Sequence, residues 1–165
     1  MTTYVALLHS IVLGPGRRLV MTDLKAMAEG LGYRNARTLV ATGNLIFDAD
    51  EAPLAAIENR LEDAFRNRFG KHVDIILRTA EGFQSLAAGN PFPDGNGPDV
   101  GVRVMRRKLG PDVLPKLERI ATPDLGLAIV EGDLWIDFRR KPSETKLLSH
   151  LTTRKLGVGT LRNAN

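Results

Sequence analysis

The element order read along residues 1–78, strand, helix, strand, strand, helix, strand, begins again at about residue 99. A chain that runs βαββαβ twice has few folds open to it, because in each copy two amphipathic helices must bury their apolar stripes on one sheet built by four short strands. The reading is therefore α+β: two ferredoxin-like βαββα(β) halves, antiparallel sheets covered by helices. The expected divisions are 1–78 for the first half, 79–98 for a connecting helix and a Gly/Pro-rich hinge, and 99–165 for the second half. Residue identity between the copies is slight, so the repeat lies in the order of elements.

The local signals are uneven. Residues 3–8 read as a strand, and a first helix is expected with Thr22 as N-cap and Leu24, Met27, Ala28 and Leu31 on one face, ended by Gly32. Residues 37–41 and 44–47 read as strands around Thr42-Gly43. The second helix has the strongest pattern: Asp50 as cap, Pro53 in the first turn, an apolar face of Leu54, Ile57, Leu61, Phe65 and Phe69, and Gly70 to close it. Residues 73–78 form strand four, and 79–88 a short helix. The second copy is expected as strand 100–105, helix 112–120, strands 126–130 and 134–138 around a Glu131-Gly132-Asp133 turn, helix 144–156 capped by Ser143, and a last strand from about Thr160.

Composition narrows the classes. With 43% hydrophobic and 25% charged residues over 165 positions, the chain has the make-up of a globular domain, and its apolar runs fall far short of the ~20 residues a membrane helix needs. The absence of cysteine excludes disulfides, thiolate nucleophiles and Cys-ligated zinc. No basic leader precedes the first strand, so a cytoplasmic location is the simplest expectation. Net charge is +4, unevenly spread: residues 1–100 hold 10 Lys/Arg against 12 Asp/Glu, and residues 101–165 hold 13 against 7. The C-terminal part, at +6, can steer an anion or a nucleic acid, or can simply be a solvated basic face.

Four short stretches together resemble a family of small bacterial proteins of unknown function, DUF1697. They are Tyr4 to Leu8 leading into Ile11 and Gly14; Arg37-Thr38 with Thr42-Gly43-Asn44 and Phe47; Asn90-Pro91-Phe92; and Lys146-Leu147 with Lys155 to Val158 and Arg162-Asn163. The resemblance implies a ferredoxin-like α/β fold, a bacterial source and no agreed activity. It also exposes departures. Where such proteins usually carry Arg-Gly-Ile-Asn after strand one, this chain has His9-Ser10-Ile11-Val12; a basic position ahead of the last helix is Glu144; and an expected aromatic after Asn163 is Ala164.

Candidate chemistry is sparse. Thr42 and Asn44 offer a hydroxyl and an amide on a hairpin, though both residue types commonly bond the turn's own backbone. Thr145 and Lys146 fall in the first turn of the expected last helix, where unpaired N–H groups favour an anion, and Arg162 and Asn163 are candidates to close over them. His9 stands where the resemblance implies arginine, as a weaker, pH-dependent cation or a surface histidine without a role. Gly14-Pro15-Gly16-Arg17-Arg18 lacks the Lys-Ser/Thr of a phosphate loop. His9, His72 and His150 share no metal-ligand spacing, no G-x-S-x-G occurs, and Glu62-Asp63 reads as part of a polar helix face. Tyr4 and Phe47 are too few aromatics for an RNA-reading sheet.

These readings converge on a non-catalytic protein that binds an anionic small molecule, nucleotide or nucleic-acid backbone through its C-terminal half. No metal, cofactor, catalytic residue or membrane is expected, and the oligomeric state is open. The rivals are an enzyme built around the loop after strand one and Thr42-Gly43-Asn44, with Lys146 as electrophilic stabiliser, and a protein-interaction or homo-oligomer module.

Overall fold

The computed structural model describes residues 1–8, 21–38, 44–95, 99–120, 125–139 and 151–163. The chain divides into two compact units, Met1–Ser85 and Leu86–Asn165.

In the first unit, β1 (Thr2–Leu8), α1 (Met21–Gly30), β2 (Arg34–Thr38), β3 (Asn44–Ala49), α2 (Leu54–Phe69) and β4 (Ile75–Thr79) follow in order. The sheet runs β2-β3-β1-β4 with every pairing antiparallel. Strand alternation sends Tyr4, Ala6 and Leu8 to the same core as Leu45, Phe47, Ile75 and Leu77. Leu24, Met27 and Ala28 of α1 and Ile57, Leu61, Phe65 and Phe69 of α2 complete that core, as the 3.6-residue spacing implies, but Leu54, expected on the same face, is exposed in the first turn of α2. Tyr33 stacks on Phe47 at 4.5 Å between ring centroids.

Helix ends depart from expectation. Thr22 lies inside α1 rather than capping it, since the helix begins at Met21. Its far end does close at Gly32, whose φ of +87° lets the Gly32 N–H reach Glu29 O and the Tyr33 N–H reach Ala28 O, at 3.0 and 3.2 Å. Asp50 does not cap α2: the N-cap is Pro53, three residues on, which has no side-chain cap and whose carbonyl accepts from Ala56 and Ile57. β2 begins three residues earlier than its apolar pattern suggests, with Asn35 at φ +52° and a register shift between Arg34 and Arg37.

Glu62 is not on a polar face: with Glu58 it is buried, and the two carboxylates accept the Ile75 and Leu77 N–H groups at 3.1 and 2.9 Å. β4 is an edge strand, so these are the donors its sheet leaves unused.

α3 (Ala80–Ala88) runs across the division between units. The second unit then repeats the order with β5 (Val100–Met105), α4 (Val113–Ile120), β6 (Gly126–Val130), β7 (Asp133–Asp137), α5 (Thr153–Leu156) and β8 (Gly159–Asn163). Its sheet, β6-β7-β5-β8, places the four strands as the first sheet does, again antiparallel throughout. Both units are thus ferredoxin-like. Glu131 and Gly132, at φ +50° and +86°, make the two-residue turn between β6 and β7. Leu117, Leu134, Ile136, Phe138 and Leu151 form the core.

The expected helix over 144–156 is not continuous. Thr152 is extended, at φ −117° and ψ 158°, and its hydroxyl accepts the Lys155 N–H, so the helical residues at this end are Thr153–Leu156 alone. A threonine that bonds its own downstream backbone starts a helix rather than continuing one.

Candidate functional site

His9, Thr42, Thr145 and Lys146 lie outside the described residues, as do Val12, Glu144 and Ala164. Asn44 opens β3 opposite Leu7 in the first unit, whereas Arg162 and Asn163 end β8 in the second. Arg162 pairs across from Val102, and its Nη1 donates to Thr160 Oγ1 at 2.7 Å and to Leu161 O at 3.1 Å; burial lowers its pKa. Among the described residues, none of these lines the cleft of about 450 Å³ found in the second unit.

That cleft forms where β5 runs out into Arg106-Arg107-Lys108. The backbone there is fixed from two directions. On one side the Arg106 N–H donates to Val158 O at 2.9 Å; on the other the Leu109 N–H donates to Gly132 O at 3.0 Å and the Met105 N–H to Asp133 Oδ1 at 2.8 Å. Gly132 lies so close that a Cβ on it would stand 2.5 Å from Lys108 Cβ. The facing wall is Leu156-Gly157-Val158, and the space between is about 450 Å³. Arg106, Arg107 and Lys108 line it together with apolar side chains, and no acidic residue is among the described residues of the lining.

A buried cation holds the wall. Arg103, 2% exposed, donates from Nη1 to Leu151 O at 3.2 Å and from Nη2 to Gly157 O at 3.0 Å. Burial lowers its pKa, and among the described residues no carboxylate pairs with it. Such a group stabilises little overall, because desolvation offsets what its hydrogen bonds contribute. Arg103→Met removes a desolvated charge but strands the Leu151 carbonyl, and is therefore expected to cost about 1–3 kcal/mol at most while speeding amide exchange over residues 151–158. Unchanged exchange there would show that the guanidinium does not hold the wall.

Two other clusters carry less. Glu62, His72 and Asp74 bring potential ligand atoms within 4.8 Å of one another. The imidazole is already committed, since Arg66 donates to Nδ1 at 3.1 Å and Nε2 donates to Asp74 Oδ1 at 2.8 Å, and a guanidinium beside the group opposes a metal ion. Sequence reasoning passed over this contact, although His72-x-Asp74 on one side of an extended segment was its visible trace. In the first unit a 250 Å³ cavity is lined by Tyr33, Arg34, Glu51 and Arg60, with both charge signs present. The Arg60 guanidinium lies 5.4 Å from the Tyr33 ring, and burial raises the pKa of Tyr33, whose hydroxyl has no partner among the described residues.

Residues 1–135 match the family described as "Protein of unknown function (DUF1697)". The chain belongs to the DUF1697 family. No curated protein matches it. Among solved structures, the family member is similar to the conserved bacterial protein SP0830 from Streptococcus pneumoniae, at 22% identity and a TM-score of 0.74, over 99% of this chain and 93% of that one. That likeness is one of fold. Among the described residues no helix is long and apolar enough to cross a membrane.

Proposed function

We propose that this DUF1697 protein binds a small anionic ligand, without catalysis, in the cleft of its second unit. The observation that carries the reading is three consecutive cations on a backbone held from both sides, with no acid among the described lining residues. A backbone held in place loses less entropy on binding than a mobile one, and a cleft of about 450 Å³ is within the usual range for small-molecule sites. A nucleic-acid backbone is the second reading; it draws on the +6 charge of residues 101–165 but finds no aromatic in the cleft on which to stack bases. The absence of cysteine supports a cytoplasmic setting, and the bacterial neighbour supports a bacterial source.

Titration with inorganic pyrophosphate, nucleotides and short single strands at two salt concentrations tests it. Binding is expected to weaken with salt, log affinity falling with log salt at a slope of roughly −2 to −3 if two or three charges are neutralised. Arg107→Glu is expected to weaken it at least tenfold, since a rim cation becomes an anion. Absence of binding at low salt, or binding indifferent to both salt and Arg107, would remove the proposal. Turnover abolished by Asn44→Ala or Lys146→Ala would instead favour the enzyme reading.

A further inference from the structure

The cleft's cations sit beside an apolar interior. Met105 is buried, and Leu109, Val113, Leu156 and Val158 are half-buried along the lining. A water molecule takes about 30 Å³ of the liquid, so a cleft of 450 Å³ is far larger than a bare phosphate requires. An inorganic anion would meet the cations and leave the apolar walls wet.

The backbone narrows the choice further, because several of the polar groups along the walls are already bonded within the protein. Gly157 O accepts from Arg103, the Gly157 N–H donates to Thr153 O, Gly110 O accepts from Val113, and the Arg106 and Leu109 N–H groups are used on Val158 and Gly132. Apart from the cations, no described side chain of the lining donates or accepts a strong hydrogen bond, and none is aromatic. A nucleobase would find no aromatic ring to stack on and, apart from the cations that the phosphate would occupy, no side chain to pair with its edge, and polar groups left unpaired on binding cost affinity.

We infer that the ligand is an anion with an aliphatic body, an organic phosphate whose head meets Arg107 and Lys108 and whose chain lies on Leu109, Val113 and Leu156. The inference rests on the anion-binding reading and narrows its ligand class. Each methylene buried on those side chains strengthens binding about three- to fourfold.

Calorimetric titration of the full chain with inorganic phosphate, ethyl, butyl and hexyl phosphate and adenosine monophosphate tests it, the alkyl phosphates being kept below any micelle threshold. Affinity is expected to climb along the alkyl series, with the nucleotide no tighter than ethyl phosphate. Val113→Thr, nearly isosteric but with a hydroxyl on the wall, is expected to weaken hexyl phosphate several-fold more than it weakens inorganic phosphate. Phosphatidylcholine vesicles with and without phosphatidic acid separate a free ligand from a lipid headgroup: binding to hexyl phosphate alone assigns a free ligand, and binding to both assigns a lipid source of the same chemistry. A flat alkyl series with binding still salt-sensitive, or a nucleotide tighter than hexyl phosphate, overturns the aliphatic body and leaves anion binding standing. If no phosphate binds even at low salt, the anion reading falls and this inference with it.

Discussion

Replacing Glu58 and Glu62 together by alanine is expected to destabilise the first unit by about 3 kcal/mol and to promote self-association through β4. The geometry explains the size of the effect. Residues four apart on a helix are separated by about 6 Å along its axis, and residues two apart on a strand by nearly 7 Å, so acids at 58 and 62 meet the N–H groups of 77 and 75 in register. Both carboxylates are buried, and truncation would strand two buried donors at a cost of roughly 1–3 kcal/mol each. The same truncation opens a strand edge to pairing with another chain. Glutamine keeps an acceptor oxygen at each site, so the Glu58→Gln, Glu62→Gln chain should lose less than half as much. Denaturant melts and light scattering on both double variants provide the check. A double alanine chain within 1 kcal/mol of the parent and still monodisperse would mean that the two acids do not seal the edge.

The legibility of these features in sequence follows from how local their causes are. The repeated element order, the apolar faces of α1 and α2 and the Gly132 turn are each set by neighbours within a few positions, and each appears where the pattern places it except at Leu54, which is exposed. Glu58 and Glu62 stand at a helical i,i+4 spacing that in sequence is indistinguishable from a solvated face; only the edge strand beneath them makes them core groups. The caps failed for a related reason, because Pro53 starts α2 without the side-chain acceptor that Asp50 advertises, and Thr22 already lies inside α1. The cleft is less local still. Its two sides, 105–110 and 156–158, are about fifty residues apart and meet only because β8 pairs with β5, with Met105 opposite Gly159. In sequence, Arg106-Arg107-Lys108 is part of a charge surplus with no local pattern to set it apart, whereas Lys146 stands in the first turn of an expected helix.

Gly132→Ala is expected to cost at least about 3 kcal/mol and to abolish anion binding, although Gly132 is not among the described residues that line the cleft. Two effects add. The left-handed φ of +86° penalises any Cβ by roughly 1 kcal/mol, and here the new atom would also stand 2.5 Å from Lys108 Cβ and Cγ and 2.7 Å from Lys108 Cα. A side-chain tip could swing aside; a Cα cannot move without carrying the chain. The displaced segment is the one whose Leu109 N–H bonds to Gly132 O and whose Met105 N–H bonds to Asp133, so relief of the clash loosens the backbone that aims Arg106, Arg107 and Lys108. Gly32 supplies the control: its φ is +87°, yet a Cβ there meets nothing within 4 Å. Gly32→Ala should therefore lose only the backbone contribution, about 1 kcal/mol, and leave binding intact. Paired denaturant melts isolate the contact as the difference between the two glycine variants, and a phosphate titration of each at low salt shows whether the basic segment has moved. Equal losses for both variants, or undiminished binding in Gly132→Ala, would show that the hairpin does not brace the cleft.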